Sequence, residues 1–312
     1  MSIDRLLLQA ERALLRHQRT LEKETLRLYV GSLREIRSTI ADAYAKHGES
    51  DGTLPFEQMN KYNRLSGLED SIQAEVRRLS RRIIGRLKRG ISSQYEESYF
   101  RTAFALEKTL QAKLAYRPLS KEVLEAAIEN PLDRIGWIRR NTENQARMVR
   151  QLRDELTRSM IQGRSYRDTT RLIKQRMDAG AENIIRIVRT ESHRVQQKGR
   201  LESFKYADSQ GVVMRKVWII TDDDRIRQRP RDEFDHKNMD GNEVELDKPF
   251  VVNGEDLDYP GDPAGSAANI INCRCSHRVK IIDFKSSWGR NQKEGVIPQQ
   301  TYEEWKTERI DP

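Results

Sequence analysis

The sequence predicts a mainly α protein with a small α+β C-terminal domain: long N-terminal helices followed by a compact mixed domain. Three observations predict it. Charged residues make up 34% of the 312 residues and aromatics only 7%, a balance suited to long solvated helices with a narrow buried stripe. Apolar residues recur at helical spacing through the first 180 positions, which excludes wholesale disorder. From Gly211 the texture changes to β-favouring residues separated by glycine, proline, aspartate and asparagine.

Taken in order, Leu6, Leu7, Leu14, Leu15, Leu21, Leu26 and Leu33 fall near helical spacing with no proline among them, so 3–46 reads as helix. The cluster from Gly48 to Pro55 is a loop. A second helical stretch runs from Phe56 to about Ala115, with breaks expected near Gly85 and Gly90, until Arg117-Pro118 interrupts it. Ser120 is placed to cap a short helix that begins with Lys121, Glu122 and Val123 and ends at Asn130-Pro131. The next helix spans Pro131 to Ile161 and stops at Gly163. Ser165 and Tyr166 open a short one to about Ala179, and Glu182 to about Ser209 is the last long one. Val212, Val213, Val217, Trp218, Ile219 and Ile220 predict a strand, and Cys275 to Phe284, with Val279, Ile281 and Ile282, a closing one. The expected organisation is a helical region at 1–180, an α+β domain at 181–285 and a polar C-terminal tail at 286–312 carrying Trp288, Tyr302 and Trp305. No internal repeat is visible.

The net charge of +9 is unevenly spread. Residues 1–180 carry 35 Lys/Arg against 24 Asp/Glu, whereas 181–312 carry 22 against 24. A basic excess confined to the helical region points to a polyanionic neighbour, DNA or RNA first and an anionic membrane second, with a solvated helix surface as the other reading. Its densest expression is the run Arg77, Arg78, Arg81, Arg82, Arg86, Lys88 and Arg89, interleaved with an apolar stripe of Val76, Leu79, Ile83 and Leu87. Such a face binds phosphates without sequence preference, because it carries no aromatic residue on which a base could stack. A groove for an acidic protein partner and a plain solvated face are the other readings.

No run approaches the length needed to span a bilayer, so no membrane partner is expected. The start, Met1-Ser2-Ile3-Asp4-Arg5, has no signal-peptide hydrophobic stretch, so the chain is expected to be made and kept in a cytoplasm. The only cysteines, Cys273 and Cys275, are separated by one residue, too tight a spacing for an unstrained bridge.

Three short segments stand out together. The first is Arg189-Thr190-Glu191, with Arg194, Gly199 and Arg200 following on the same helix. The second is Lys216-Val217-Trp218, then Asp224-Arg225-Ile226-Arg227, His236 and Asp240-Gly241. The third is Tyr259-Pro260-Gly261-Asp262-Pro263, then Asn272-Cys273-Arg274-Cys275. In this order and spacing they resemble the Mu protein F-like family of phage head-morphogenesis (minor capsid) proteins, over roughly residues 160–280. One departure is the stretch Gln228–Asp235, which sets His236 further from Arg227 than the family pattern does. The resemblance implies a protein of few copies inside the virion head near the portal. It implies partners among portal, capsid and scaffold proteins, and a part in procapsid assembly and genome packaging or ejection.

The same residues carry their own chemistry. Glu191 and Arg194 sit three apart on a helix and can pair across one turn, and Arg189 can fork onto a carboxylate such as Asp224. The result is either a polar site or an internal ion-pair network. His236, Cys273, Cys275 and His277 offer the imidazole and thiolate ligands that zinc prefers, and a small irregular domain would gain stability from such an ion. Buried packing cysteines, with Asn272 turning the chain, are the other account. Pro260, Gly261, Asp262 and Pro263 are turn chemistry, and Asp240-Gly241 reads as a tight hairpin turn between short strands. No P-loop, nucleophile elbow or dinucleotide fingerprint is present, so no catalytic residue is expected. The alternative is a metal-dependent nucleic-acid-processing enzyme centred on Asp224, His236, Cys273 and Cys275, with the acidic run Asp222-Asp223-Asp224 beside it.

Overall fold

The fold comes from a computed structural model that describes residues 2–129, 136–221, 223–284 and 300–310. It is mainly helical with a small mixed α/β region toward the C-terminus. The expected helix start at Pro131, the stop at Asn130, and Asp222 and Trp288 lie outside the described residues. No helix among the described residues is long and apolar enough to cross a membrane.

Helix α1 spans Ile3–His47, α2 Phe56–Asn60, α3 Arg64–Leu110, α4 Lys121–Glu129, α5 Trp137–Ile161 and α6 Tyr166–Ser209. Two expectations are corrected here. Helix α3 runs without a break through Gly85 and Gly90. A mid-helix glycine costs only about 1 kcal/mol relative to alanine, and the apolar stripe around these two stays in register, with Ile83, Leu87 and Ile91 all buried. Helix α6 likewise continues through Gly180, where the sequence suggested two helices. Gly180 serves close packing rather than termination. A Cβ there would lie 2.7 Å from Met148 Sδ, and its carbonyl accepts from Tyr29 Oη at 3.1 Å and Asn144 Nδ2 at 2.9 Å.

By internal contacts the chain forms two compact units. One comprises residues 20–88 and 135–188. Its helical segments bury Leu21, Ile36, Ile40, Val76, Leu79, Ile83, Leu87, Leu152, Leu156, Ile173 and Ile184. Buried polar pairs fix how these segments meet: Asn141 Nδ2 donates to Ser80 Oγ at 2.8 Å, and Glu155 accepts from Arg164 at 2.8 Å and Arg176 at 2.9 Å.

The other unit comprises residues 1–19, 89–134 and 189–312. Strand β1 (Val212–Ile219) is central in a three-stranded antiparallel sheet, between β2 (Glu243–Glu245) and β5 (Ser276–Phe284). A separate ribbon pairs β3 (Phe250–Val252) with β4 (Glu255–Leu257), and α7 (Ala267–Ile270) precedes β5. Alternation along β1 buries Val212, Met214, Lys216 and Trp218 on one face. Asp240-Gly241 does not join two strands as the sequence suggested. It follows a 3-10 turn at Lys237–Met239 and leads into β2, with Gly241 at φ +74° donating its N–H to the Trp218 carbonyl at 2.9 Å.

The segment read as a polar tail contains a further helix, α8 (Tyr302–Arg309). A capping box between Thr301 and Glu304 starts it. Tyr302 and Trp305 join the cluster of Phe100, Phe104 and Tyr116, and the Trp305 indole donates to buried Glu107 at 2.8 Å.

Gly199 on α6 faces the backbone of α3, where a Cβ would lie 2.5 Å from the Tyr95 carbonyl oxygen. Backbone cannot step aside, so Gly199→Ala should lose about 1–3 kcal/mol by overpacking, more than the roughly 1 kcal/mol gained in helix propensity. Urea unfolding checks this, and an unchanged or higher midpoint would contradict the packing described.

Candidate functional site

Several polar residues of α6 in the unit that includes residues 189–312 face inward. The Arg194 guanidinium donates to Glu191 at 2.8 Å and to the carbonyls of Ala127 and Ile128 at 3.0 and 3.3 Å, with both members of the pair buried. Thr190 is buried beside them and Arg189 is exposed. Further along α6, Arg200 is 1% exposed. It donates to Glu11 at 2.7 Å and to the His277 carbonyl at 2.9 Å. Burial pushes the Glu11 carboxyl up, but Arg200 and Arg278 outweigh it and hold the group below the usual carboxylate range. His277 faces this helix, its Nδ1 3.0 Å from Gln197 Oε1, and burial pushes its pKa well down.

The motif residues of the strands and loops brace the module. Lys216 occupies a fully buried position on β1, donates to the Asp258 carbonyl at 2.9 Å, and is pushed down to about 8 by burial. Asp240 Oδ1 accepts from the Ile220 amide at 3.1 Å. In the Pro260-Gly261-Asp262-Pro263 turn, the Asp262 carboxylate accepts from the amides of Asp258 and Ala264, at 2.8 and 3.0 Å. Gly261, at φ +83°, lies so close to α6 that a Cβ would meet His193 Cδ2 at 2.9 Å. Side chain and backbone geometry at this turn are therefore both specified by the helix.

At the end of β5 the sheet brings together His236, Cys273 and Cys275. All three are buried, and their ligand atoms lie within 4.8 Å of one another. His236 Nδ1 is 3.7 Å from Cys273 Sγ and 3.6 Å from Cys275 Sγ. Asn272, at φ +58°, turns the chain so that the two thiols converge. Trp218 and Phe250 form the apolar floor, Trp218 meeting the imidazole edge-on at 6.1 Å between ring centroids. The paired thiols split apart: a hydrogen bond from Cys275 lowers the Cys273 pKa, and the same bond with burial raises that of Cys275. The group can hold a metal ion.

Asn269, which the sequence analysis did not single out, fixes the imidazole. Its Nδ2 donates to the Val252 carbonyl at 3.1 Å and to Glu255 Oε2 at 2.7 Å, so its oxygen faces His236 Nε2 at 3.0 Å. Nε2 therefore carries the proton, and Nδ1 presents a lone pair to the two sulfurs. Arg227 ties the surrounding loops together, donating to the carbonyls of Asn269 and Ile271 at 2.7 and 2.6 Å. Its own carbonyl accepts from the His236 amide at 3.0 Å. A surface cavity lined by Thr221, Arg225, Arg227 and Arg274 opens beside the three ligands, which also line it.

Two residues named with this group stand apart from it. His277 lies against Gln197 on α6 and is not in the metal-ligating group. Asp224 is exposed and is not in the metal-ligating group. Its neighbour Asp223 accepts from Arg274 at 2.5 Å. His193 is a half-buried residue with an enclosed ring Nε2 that the sequence reading passed over. Burial moves its pKa to about 4, and Nε2 has no hydrogen-bond partner among the described residues.

On α3, Val76, Leu79, Ile83 and Leu87 form the buried stripe. Arg77, Arg81, Arg82, Lys88 and Arg89 are exposed. Arg78 pairs with Glu75, and Arg86 pairs with Glu24, its Nε at 2.8 Å.

Residues 150–278 match the family model of the Phage Mu protein F like protein. The chain is 25% identical over 294 residues to the minor head protein GP7 of Bacillus phage SPP1, covering 92% of each. It is 23% identical over 291 residues to the NAD(+)–arginine ADP-ribosyltransferase EFV of Enterococcus faecalis. That match takes in 93% of this chain and 57% of the relative's length. No solved structure matches.

Removing one partner of a buried ion pair strands the other charge. Glu191→Gln should therefore cost about 3–5 kcal/mol, read as a lowered urea midpoint. A loss within about 0.5 kcal/mol, the range of a surface substitution, would show that Arg194 does not depend on this carboxylate.

Proposed function

We propose, from the premise that this chain is a Phage Mu protein F-like protein, that it is a minor head protein of a tailed phage which contacts portal and DNA during procapsid assembly and genome packaging or ejection. One observation carries the reading: the likeness to a minor head protein runs through 92% of both chains, helical region included. In this reading the protein sits in the head interior near the portal, with portal, capsid and scaffold proteins as partners. The α3 cations contact double-stranded DNA non-specifically. With Arg78 and Arg86 paired with carboxylates, the first candidates for phosphate contact are the exposed Arg77, Arg81, Arg82 and Arg89. The group of His236, Cys273 and Cys275 holds zinc, on the chemistry of two thiolates and an imidazole.

An enzymatic reading draws on the ADP-ribosyltransferase relative and on the metal group. The transferase is matched over 57% of its length, so the activity in its name can reside in the portion this chain does not cover. The nucleic-acid-processing version needs Asp224 beside His236, and Asp224 is exposed while His236 is buried. We therefore favour the assembly role, without turnover of a substrate.

The test is a pull-down of the purified chain against the phage's own portal, with and without DNA, over a salt series. Retention of portal at high salt is the expected result; loss of portal under all conditions would overturn the assembly reading. For DNA, each phosphate contact contributes a slope of about −0.9 in log K against log salt. Arg77→Ala/Arg81→Ala/Arg82→Ala should therefore flatten the slope by up to about 3. An unchanged slope would remove these side chains from the DNA-contacting surface.

A further inference from the structure

We infer that the metal centre of His236, Cys273 and Cys275 keeps one coordination position open, and that a small anion or water enters it from the arginine-lined cavity alongside. The inference rests on the reading of this group as a zinc site.

The ligand atoms are spaced for a tetrahedral ion. Bonds of about 2.3 Å to sulfur and about 2.0 Å to nitrogen place the two donors about 3.5 Å apart along a tetrahedron's edge. The observed separations from His236 Nδ1 are 3.6 and 3.7 Å. The imidazole is also prepared for binding, since Asn269 holds the proton on Nε2 and is itself fixed by Val252 and Glu255. An outer-shell acceptor of this kind is what orients metal-bound histidines.

Only three corners are filled. Closed structural zinc sites have four protein ligands, whereas sites with three keep an exchangeable fourth position. Among the described residues no further histidine, cysteine or carboxylate completes the group. His277 is held by Gln197 and Asp223 by Arg274.

The fourth corner has a route to solvent, because His236, Cys273 and Cys275 all line the cavity that also contains Thr221, Arg225, Arg227 and Arg274. A zinc ion with two thiolates and a neutral imidazole has no net charge. Among the described residues the cavity lining holds three guanidiniums and no carboxylate, and Asp223 and Asp232 pair with them from outside it. A local positive excess around a neutral centre selects an anion over a cation. The ligand class is a small monoanion of halide, pseudohalide or carboxylate type, with water in its place when none is bound.

The test uses the full chain, stripped of metal under reducing conditions and titrated with Co2+, with thiocyanate as the anion probe. The expected result is one cobalt per chain, with thiolate charge-transfer bands that disappear in Cys273→Ser. Thiocyanate should then shift the visible ligand-field bands saturably. Arg225→Ala, at an exposed position outside the ligand set, should weaken thiocyanate severalfold and leave the cobalt stoichiometry unchanged. Cobalt bands that ignore thiocyanate would overturn the open position while leaving the metal reading intact. A response that appears only in His193→Ala would identify that imidazole as the fourth ligand, which also overturns it. No thiolate–cobalt bands on a chain whose circular dichroism is native would overturn the metal reading, and this inference with it.

Discussion

The compact unit depends on one buried guanidinium. Arg200 has almost no exposed surface, so its charge must be met inside the protein. An unpaired charge there would cost several kcal/mol. Glu11 from α1 and the His277 carbonyl from β5 meet it, at 2.7 and 2.9 Å. Helix α6 can therefore hold its place only when the start of α1 and the head of β5 are both present. Arg278 reinforces the same carboxylate at 3.7 Å, and Ser276 donates to it at 3.0 Å. Glu11 is in this sense the acceptor around which the first residues of β5 are organised.

The metal-ligating group follows from that arrangement. With Ser276–His277 fixed against α6, Cys275 and Cys273 are the residues just upstream, and the turn at Asn272 directs both thiols to one point. His236 arrives from a long loop that would otherwise be free to wander. Arg227 binds the loop preceding the cysteines through two carbonyls and takes the His236 amide on its own. The same loop carries the stretch Gln228–Asp235, so the extra residues relative to the family pattern are accommodated without displacing His236 from the cysteines.

How much of this was legible in the sequence depends on the kind of interaction. The apolar stripe of α3 was, because Val76, Leu79, Ile83 and Leu87 repeat with the helix period. The Glu191–Arg194 pair was, because three-residue spacing on a helix leaves few alternatives. The strands β1 and β5 showed through their β-branched residues. Three local rules misled. Gly85, Gly90 and Gly180 looked like breaks, yet they lie in helices whose tertiary packing outweighs about 1 kcal/mol of propensity each. Asp240-Gly241 looked like a hairpin, yet it closes a 3-10 turn. Tyr302 and Trp305 looked like part of a polar tail, because eight residues of α8 carry too little periodicity to declare a buried face. Asn269 and Arg200 act over separations of 33 and 77 residues, onto His236 and His277, and no local pattern announces partners so distant. His277 was grouped with the cysteines by nearness in sequence, but it is held by Gln197 on α6 and is not in the metal-ligating group.

In the function proposed here, a cationic helical surface serves a polyanion and a braced module with a metal-ligating group serves protein partners. All of it presumes that Arg200 and Glu11 act as a coupled pair. The most direct measurement is a double-mutant cycle of Glu11→Gln and Arg200→Met, with stability read by urea unfolding. The account predicts a coupling of about 1–3 kcal/mol, with each single change costing more than its share of the double change. Losses that add to within about 0.5 kcal/mol would mean two independent groups, and would contradict the claim that this contact holds α1, α6 and β5 together.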